Sequence, residues 1–80
     1  NDCENLAYSY LKAGQLFTTL KHYSPALHYL DSSVRISRHI SARAVLEEAY
    51  TTLFKIYNAM KNYKKAIKYL QLGHIYHVSL

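Results

Sequence analysis

His74 and His77 stand three residues apart, and His28 stands three before Asp31, spacings that bring two side chains to one helix face within reach of a metal ion. Two ligands do not make a site. The chain has no second cysteine beside Cys3 and no His-Glu-x-x-His run, so these histidines read as structural or surface groups and no metal or other cofactor is expected. Nucleophilic chemistry has as little to work with. Cys3 lies close to the first residue, the five Asp and Glu are scattered, and no glycine-rich phosphate loop or nucleophile elbow occurs. The sequence does not read as an enzyme.

What remains is electrostatic. Ten Lys and Arg against five Asp and Glu give a charge of +5 with His neutral, and Lys61, Lys64, Lys65 and Lys68 form a basic stripe. The stripe falls at the start of an expected helix, where positive charge opposes the helix dipole. That small cost gives it some weight as a patch for nucleic acid or an acidic surface. A solvated outer face is the plainer reading, because no nucleic-acid motif accompanies it.

The elements that must position these groups are helices. Half of the residues are hydrophobic, with nine Tyr but two Gly, one Pro and no Trp, too apolar for disorder and too poor in turn residues for many short strands. A shift of 40 places brings Leu6 onto Leu46, Tyr10 onto Tyr50, Lys21 onto Lys61, Tyr23 onto Tyr63, Ala26 onto Ala66, Tyr29 onto Tyr69 and Leu30 onto Leu70. The chain is thus two copies of one unit, 1–40 and 41–80. In each copy an apolar stripe steps by four and three: Leu6, Tyr10, Ala13, Phe17, Leu20, then Leu46, Tyr50, Leu53, Tyr57, Met60. Breaks follow at Lys21-His22-Tyr23 and Lys61-Asn62-Tyr63, after which Ala26, Leu27, Leu30 and Val34, and then Ala66, Ile67, Leu70 and Gly73, carry second helices. Ser24-Pro25 is expected to start one of them and Ser41 to cap the third. The expectation is an all-α fold of four helices in two antiparallel hairpins.

With these residues in register, the chain resembles the tetratricopeptide repeat family. The likeness rests on the aromatics Tyr10 and Tyr50, Phe17 and Tyr57, Tyr23 and Tyr63, on the small Ala26 and Ala66, on Ala13-Gly14, and on Ser33 and Gly73 at a second small position. It departs from the family in its 40-residue period, against roughly 34 in the standard repeat, which requires helices or a linker near Ser37 to Ala44 about a turn longer. It departs again where Phe54 replaces the small residue that Gly14 supplies in the first copy, so the second hairpin should splay or repack against Gly73. The resemblance implies an α–α superhelix with a concave groove that binds a peptide or helix. It implies groove residues Tyr8, Lys12, Gln15 and Thr19 in the first copy and Glu48, Thr52, Lys55 and Asn58 in the second. The family's Lys and Asn clamp on a chaperone tail is not matched, since Leu11 and Gln15 fall where its first Lys and Asn would sit.

No apolar run approaches the ~18 residues that spanning a membrane needs. The single thiol fits a reducing compartment, and a cytoplasmic setting is weakly favoured. Repeat arrays generally need three or more units with polar ends, whereas this sequence closes on Ile67, Leu70, Ile75, Tyr76, Val78 and Leu80. Those residues are expected to meet a second copy, as a homodimer, or a neighbouring repeat of a longer array, with Tyr69 and Tyr76 under the following unit. The function expected is a protein-interaction or scaffolding module of a larger regulatory or signalling protein; nucleic-acid or acidic-surface binding through the lysine stripe is the alternative.

Overall fold

Apolar residues at steps of three and four wind the chain into four helices, α1 (Asp2–Thr19), α2 (Tyr23–His39), α3 (Arg43–Ala59) and α4 (Tyr63–Val78). The structure, a computed structural model, describes the backbone of residues 2–78 and the side chains of residues 2–75. Among the described residues there is no strand, and the fold is all-α. Helix α1 packs on α2 and α3 on α4 as two hairpins, and α3 also packs against α2 and, more narrowly, α1. The backbone of α4 meets α3 alone among the described residues.

Three turns of one geometry join the helices. Lys21, Ser41 and Lys61 adopt left-handed backbone at φ 63°, 57° and 63°, and the next residue in each case donates its N–H five residues back: His22 to the Phe17 carbonyl, Ala42 to Ser37 and Asn62 to Tyr57, at 2.8–2.9 Å. This is the Schellman ending of a helix. The residue that closes one helix also opens the next, since the His22, Ala42 and Asn62 carbonyls accept the first helical bonds from Ala26, Leu46 and Ala66.

Two expected helix starts therefore move. The N-cap of α2 is His22 rather than Ser24, which places Pro25 third in the helix, where its missing N–H is still one no helical carbonyl would have used. Ser41 is the left-handed residue ending α2, and Ala42 caps α3. The long period resides in the helices, because the connection between hairpins is as short as the turns within them.

The buried side of α1 is also rotated from the expected stripe. Ala7, Leu11 and Gly14 are buried, Tyr10, Ala13 and Phe17 are partly covered, and Leu6 and Leu20 remain 47% and 54% exposed. Small residues win this face because α2 comes close. A Cβ on Gly14 would stand 2.6 Å from Leu30 Cγ and 2.8 Å from its Cδ2, and one turn back the Ser33 hydroxyl donates to the Ala7 carbonyl at 2.9 Å. In the second hairpin Phe54 stands half-buried at the position of Gly14, and α4 makes its close approach at Gly73 instead. In the second expected stripe Leu46, Tyr50 and Leu53 are buried, while Met60 is 47% exposed.

Of the expected end surface, Ile67, Leu70 and Ile75 are half exposed at 54%, 51% and 55%; Leu80 and the side chains of Tyr76 and Val78 lie outside the described residues. Tyr69 packs inside its own hairpin, on Tyr50 and Tyr57.

The two glycines respond oppositely to a methyl group. Gly14→Ala is expected to lower the thermal midpoint, since overpacking a covered seat costs about 1–3 kcal/mol against a helical gain of about 1 kcal/mol. At Gly73 the added carbon keeps 3.6 Å from its nearest neighbour, so Gly73→Ala should stabilise by about 1 kcal/mol or slightly less. Thermal unfolding followed by circular dichroism checks both, and shifts of the same sign would contradict the packing described.

Candidate functional site

Helix α1 carries Tyr8, Lys12, Gln15 and Thr19 at steps of four, three and four, and α3 carries Glu48, Thr52, Lys55 and Asn58 at steps of four, three and three, so each set runs along one side of its helix. The structure joins the two sets at their middle. Gln15 Nε2 donates to Thr52 Oγ1 at 3.4 Å, across the line where α1 and α3 pack side by side. By helical spacing Lys12 and Glu48 fall one turn before this contact and Thr19 and Lys55 one turn after it. Opposite charges thus sit at one level of the face and an amide and a hydroxyl at the next.

Not all eight are offered to a ligand. Thr52 is 6% exposed, and its hydroxyl donates to the Glu48 carbonyl at 2.8 Å; it forms the floor of the crossing. The Thr19 hydroxyl is turned back onto the Gln15 carbonyl at 3.1 Å. Tyr8, Lys12, Glu48, Lys55 and Asn58 are exposed, with the Lys12 ammonium 5.0 Å from the centre of the Tyr8 ring. Leu11, which takes the place of a clamp lysine in the resemblance, is fully buried.

The lysine stripe divides. Lys61 is the left-handed residue of the turn, whereas Lys64, Lys65 and Lys68 lie on α4. Lys65 Nζ is 5.3 Å above the Tyr57 ring and Lys68 Nζ 5.6 Å above Tyr69, so two of the four charges rest on aromatic faces. The start of α4 is capped through Asn62, whose Oδ1 accepts the Lys65 N–H at 3.4 Å.

Those rings belong to a device present twice. Tyr29 stacks on Phe17 (5.6 Å between centroids, 4° between planes) and leans on Tyr10 at 6.0 Å. Tyr69 stacks on Tyr57 (5.5 Å, 6°) and leans on Tyr50 at 6.0 Å. In each hairpin the ring from the second helix lies between two rings of the first, which explains Tyr29 and Tyr69 as clasps rather than as a binding surface.

His28 and His74 are exposed on different helices, and among the described residues no three of His, Cys, Asp and Glu come together to hold a metal. Among the same residues no helix is long and apolar enough to cross a membrane. What a reading for chemistry missed is apolar: Leu6, Leu16 and Leu20 on α1, 47%, 57% and 54% exposed. The register that pairs Leu6 with Leu46 and Leu16 with Ile56 contained that signal. No protein-family model, curated protein or solved structure matches the chain.

Burial, with the Tyr57 phenol and the Asp31 carboxylate nearby, raises the Tyr69 hydroxyl above the ordinary phenol value of 10.0. The unfolded chain would ionise this group first as the pH climbs through about 10. Its neutral form therefore contributes stability in full below that pH, and the contribution is lost as the pH rises through the higher folded value. An ultraviolet tyrosinate titration should show a late component that Tyr69→Phe removes. A titration unchanged by the substitution would contradict the clasp.

Proposed function

We propose that this chain is a helical-repeat interaction module of the tetratricopeptide kind, holding a peptide or a short helix along the face of α1 and α3, within a larger regulatory or scaffolding protein. The observation that carries the reading is the Gln15–Thr52 contact, which joins two helices side by side with Tyr8 and Lys12 exposed along one and Glu48, Lys55 and Asn58 along the other. Tyr8 supplies a flat apolar contact with a polar tip; Lys12 and Lys55 supply positive charge; Asn58 supplies an amide that can donate and accept along a peptide backbone. None of these is needed inside the core. Two stacked hairpins in which α3 packs on both α1 and α2 support the family resemblance. The uncovered side of α4 adds a second contact surface, for a further repeat or copy.

Binding of nucleic acid or an acidic surface through Lys61, Lys64, Lys65 and Lys68 is less well supported, because no nucleic-acid motif accompanies the stripe and exposed charge runs are ordinarily solvated. Salt separates the two readings, since phosphate contacts release counterions and weaken steeply with ionic strength.

Peptides selected from a displayed random library on the immobilised chain, then measured in solution by fluorescence anisotropy, test the proposal. Replacing Tyr8, Lys55 and Asn58 together by Ala should weaken binding about tenfold or more, roughly 1.4 kcal/mol, with helicity unchanged. Lys64→Ala with Lys68→Ala should change it little. Binding that ignores the first set would leave the face a spacer, and loss confined to the lysine pair with steep salt dependence would favour the other reading.

A further inference from the structure

We infer that α4 of one copy docks on α1 of a second copy, head to tail, repeating between chains the contact that the two hairpins make within one. The hairpins correspond at a shift of 40 residues in the ends of α1 and α3 and the starts of α2 and α4, in the left-handed Lys21 and Lys61 and in their aromatic clasps. The contact between them can therefore be compared residue by residue with what each end of the molecule leaves open.

On the receiving side, Leu46 and Ile56 of α3 are 2% and 0% exposed, and their counterparts Leu6 and Leu16 on α1 are 47% and 57% exposed. On the inserting side Leu70 of α4 is 51% exposed; its counterpart Leu30 is buried on Gly14 of its own hairpin, so the comparison rests on its neighbours. Leu27 and Tyr23 are partly covered where Ile67 and Tyr63 are 54% and 56% exposed. Each of the two faces that the internal contact covers is present a second time and uncovered, one at each end. Such a head-to-tail contact leaves complementary faces by construction, and it propagates unless something blocks it. The α4 backbone does not reach α1 of its own chain, so the complement lies outside one copy of these 80 residues, and a second copy offers it.

The α4 face also holds a seat. A hollow lined by Glu47, Thr51, Tyr69, Leu70, Gly73 and His74 occupies the positions that in the first hairpin include Ala7, Leu11, Leu30 and Ser33, all 0% exposed. Glu47, Thr51 and His74 replace Ala7, Leu11 and Val34 there. The copy-to-copy contact is accordingly more polar than the internal one, and it dissociates on dilution.

Sedimentation velocity and light scattering of the 80-residue chain over a dilution series test this, with circular dichroism to confirm the fold. The weight-average mass should rise with concentration past that of a dimer. Leu16→Glu spoils the α1 face and Leu70→Glu the α4 face, at positions half exposed within one chain. Each variant alone should stay monomeric, and their mixture should form a one-to-one pair and stop there. Leu6→Glu and Ile67→Glu serve in the same roles should either first choice unfold. A wild-type chain that is monomeric at every concentration overturns the inference. So does Leu16→Glu that still dimerises, which would mean two α4 helices meeting each other, or a mixture that stays at monomer mass.

Discussion

At Lys21, Ser41 and Lys61 the backbone turns left-handed, and each time the following residue hands its N–H to a carbonyl five residues back. The geometry is demanding, because a side chain at positive φ crowds its own carbonyl and costs of the order of 1 kcal/mol. Paying it three times at 20-residue intervals gives helices of 16 to 18 residues and reversals of one kind. The second hairpin follows the first as its counterpart because the turn between hairpins is the same as the turns inside them. The carbonyls that close the first and third turns belong to Phe17 and Tyr57, so the residue that accepts the closing bond in the last turn of α1 or α3 also delivers a ring to the clasp with Tyr29 or Tyr69.

Within that frame the hairpins solve close approach differently. The first brings Leu30 onto Gly14 and ties Ser33 to Ala7, both small or short side chains at a crossing. The second has Phe54 at the Gly14 position and uses Gly73 where the first has Ser33. Both keep the stacked ring. The aromatic clasp is therefore the shared element and the small-residue seat the variable one, as expected when ring burial supplies much of the stabilisation and the crossing has only to avoid a clash.

The helices and their pairing were legible in the sequence because Tyr10, Ala26, Tyr29 and Leu30 each recur 40 places on, and only helical spacing lines up the apolar residues in both copies. The turn type was not legible. Its left-handed positions hold Lys and Ser rather than Gly or Asn, and Ser24-Pro25 looks like a start signal although the helix begins two residues earlier. The covered side of α1 was misplaced because hydrophobicity favours Leu6 and Leu20, whereas a tight crossing selects Ala7 and Gly14. Of the proposed groove face, the family likeness named both Gln15 and Thr52, but their contact with each other is seen only in the fold. That Thr52 would be floor rather than ligand contact was not legible either, since its burial depends on how near α1 comes.

The contrast between the inside of a hairpin and its ends bears on how the molecule is used. The rings of each stack come from that hairpin's own two helices, so the contact between hairpins does not have to supply the clasp of either. A contact freed from that duty can be weak and repeated. The replacement of Ala7, Leu11 and Val34 by Glu47, Thr51 and His74 at the C-terminal face fits such a role, since it keeps Ile67 and Leu70 as apolar contacts while surrounding them with groups that are content in water. A chain of 80 residues has a small core in any case. Covering Leu6 and Leu16 at one end, or Ile67 and Leu70 at the other, adds apolar burial that one copy cannot supply for itself. On the association inferred above, stability and self-association are coupled.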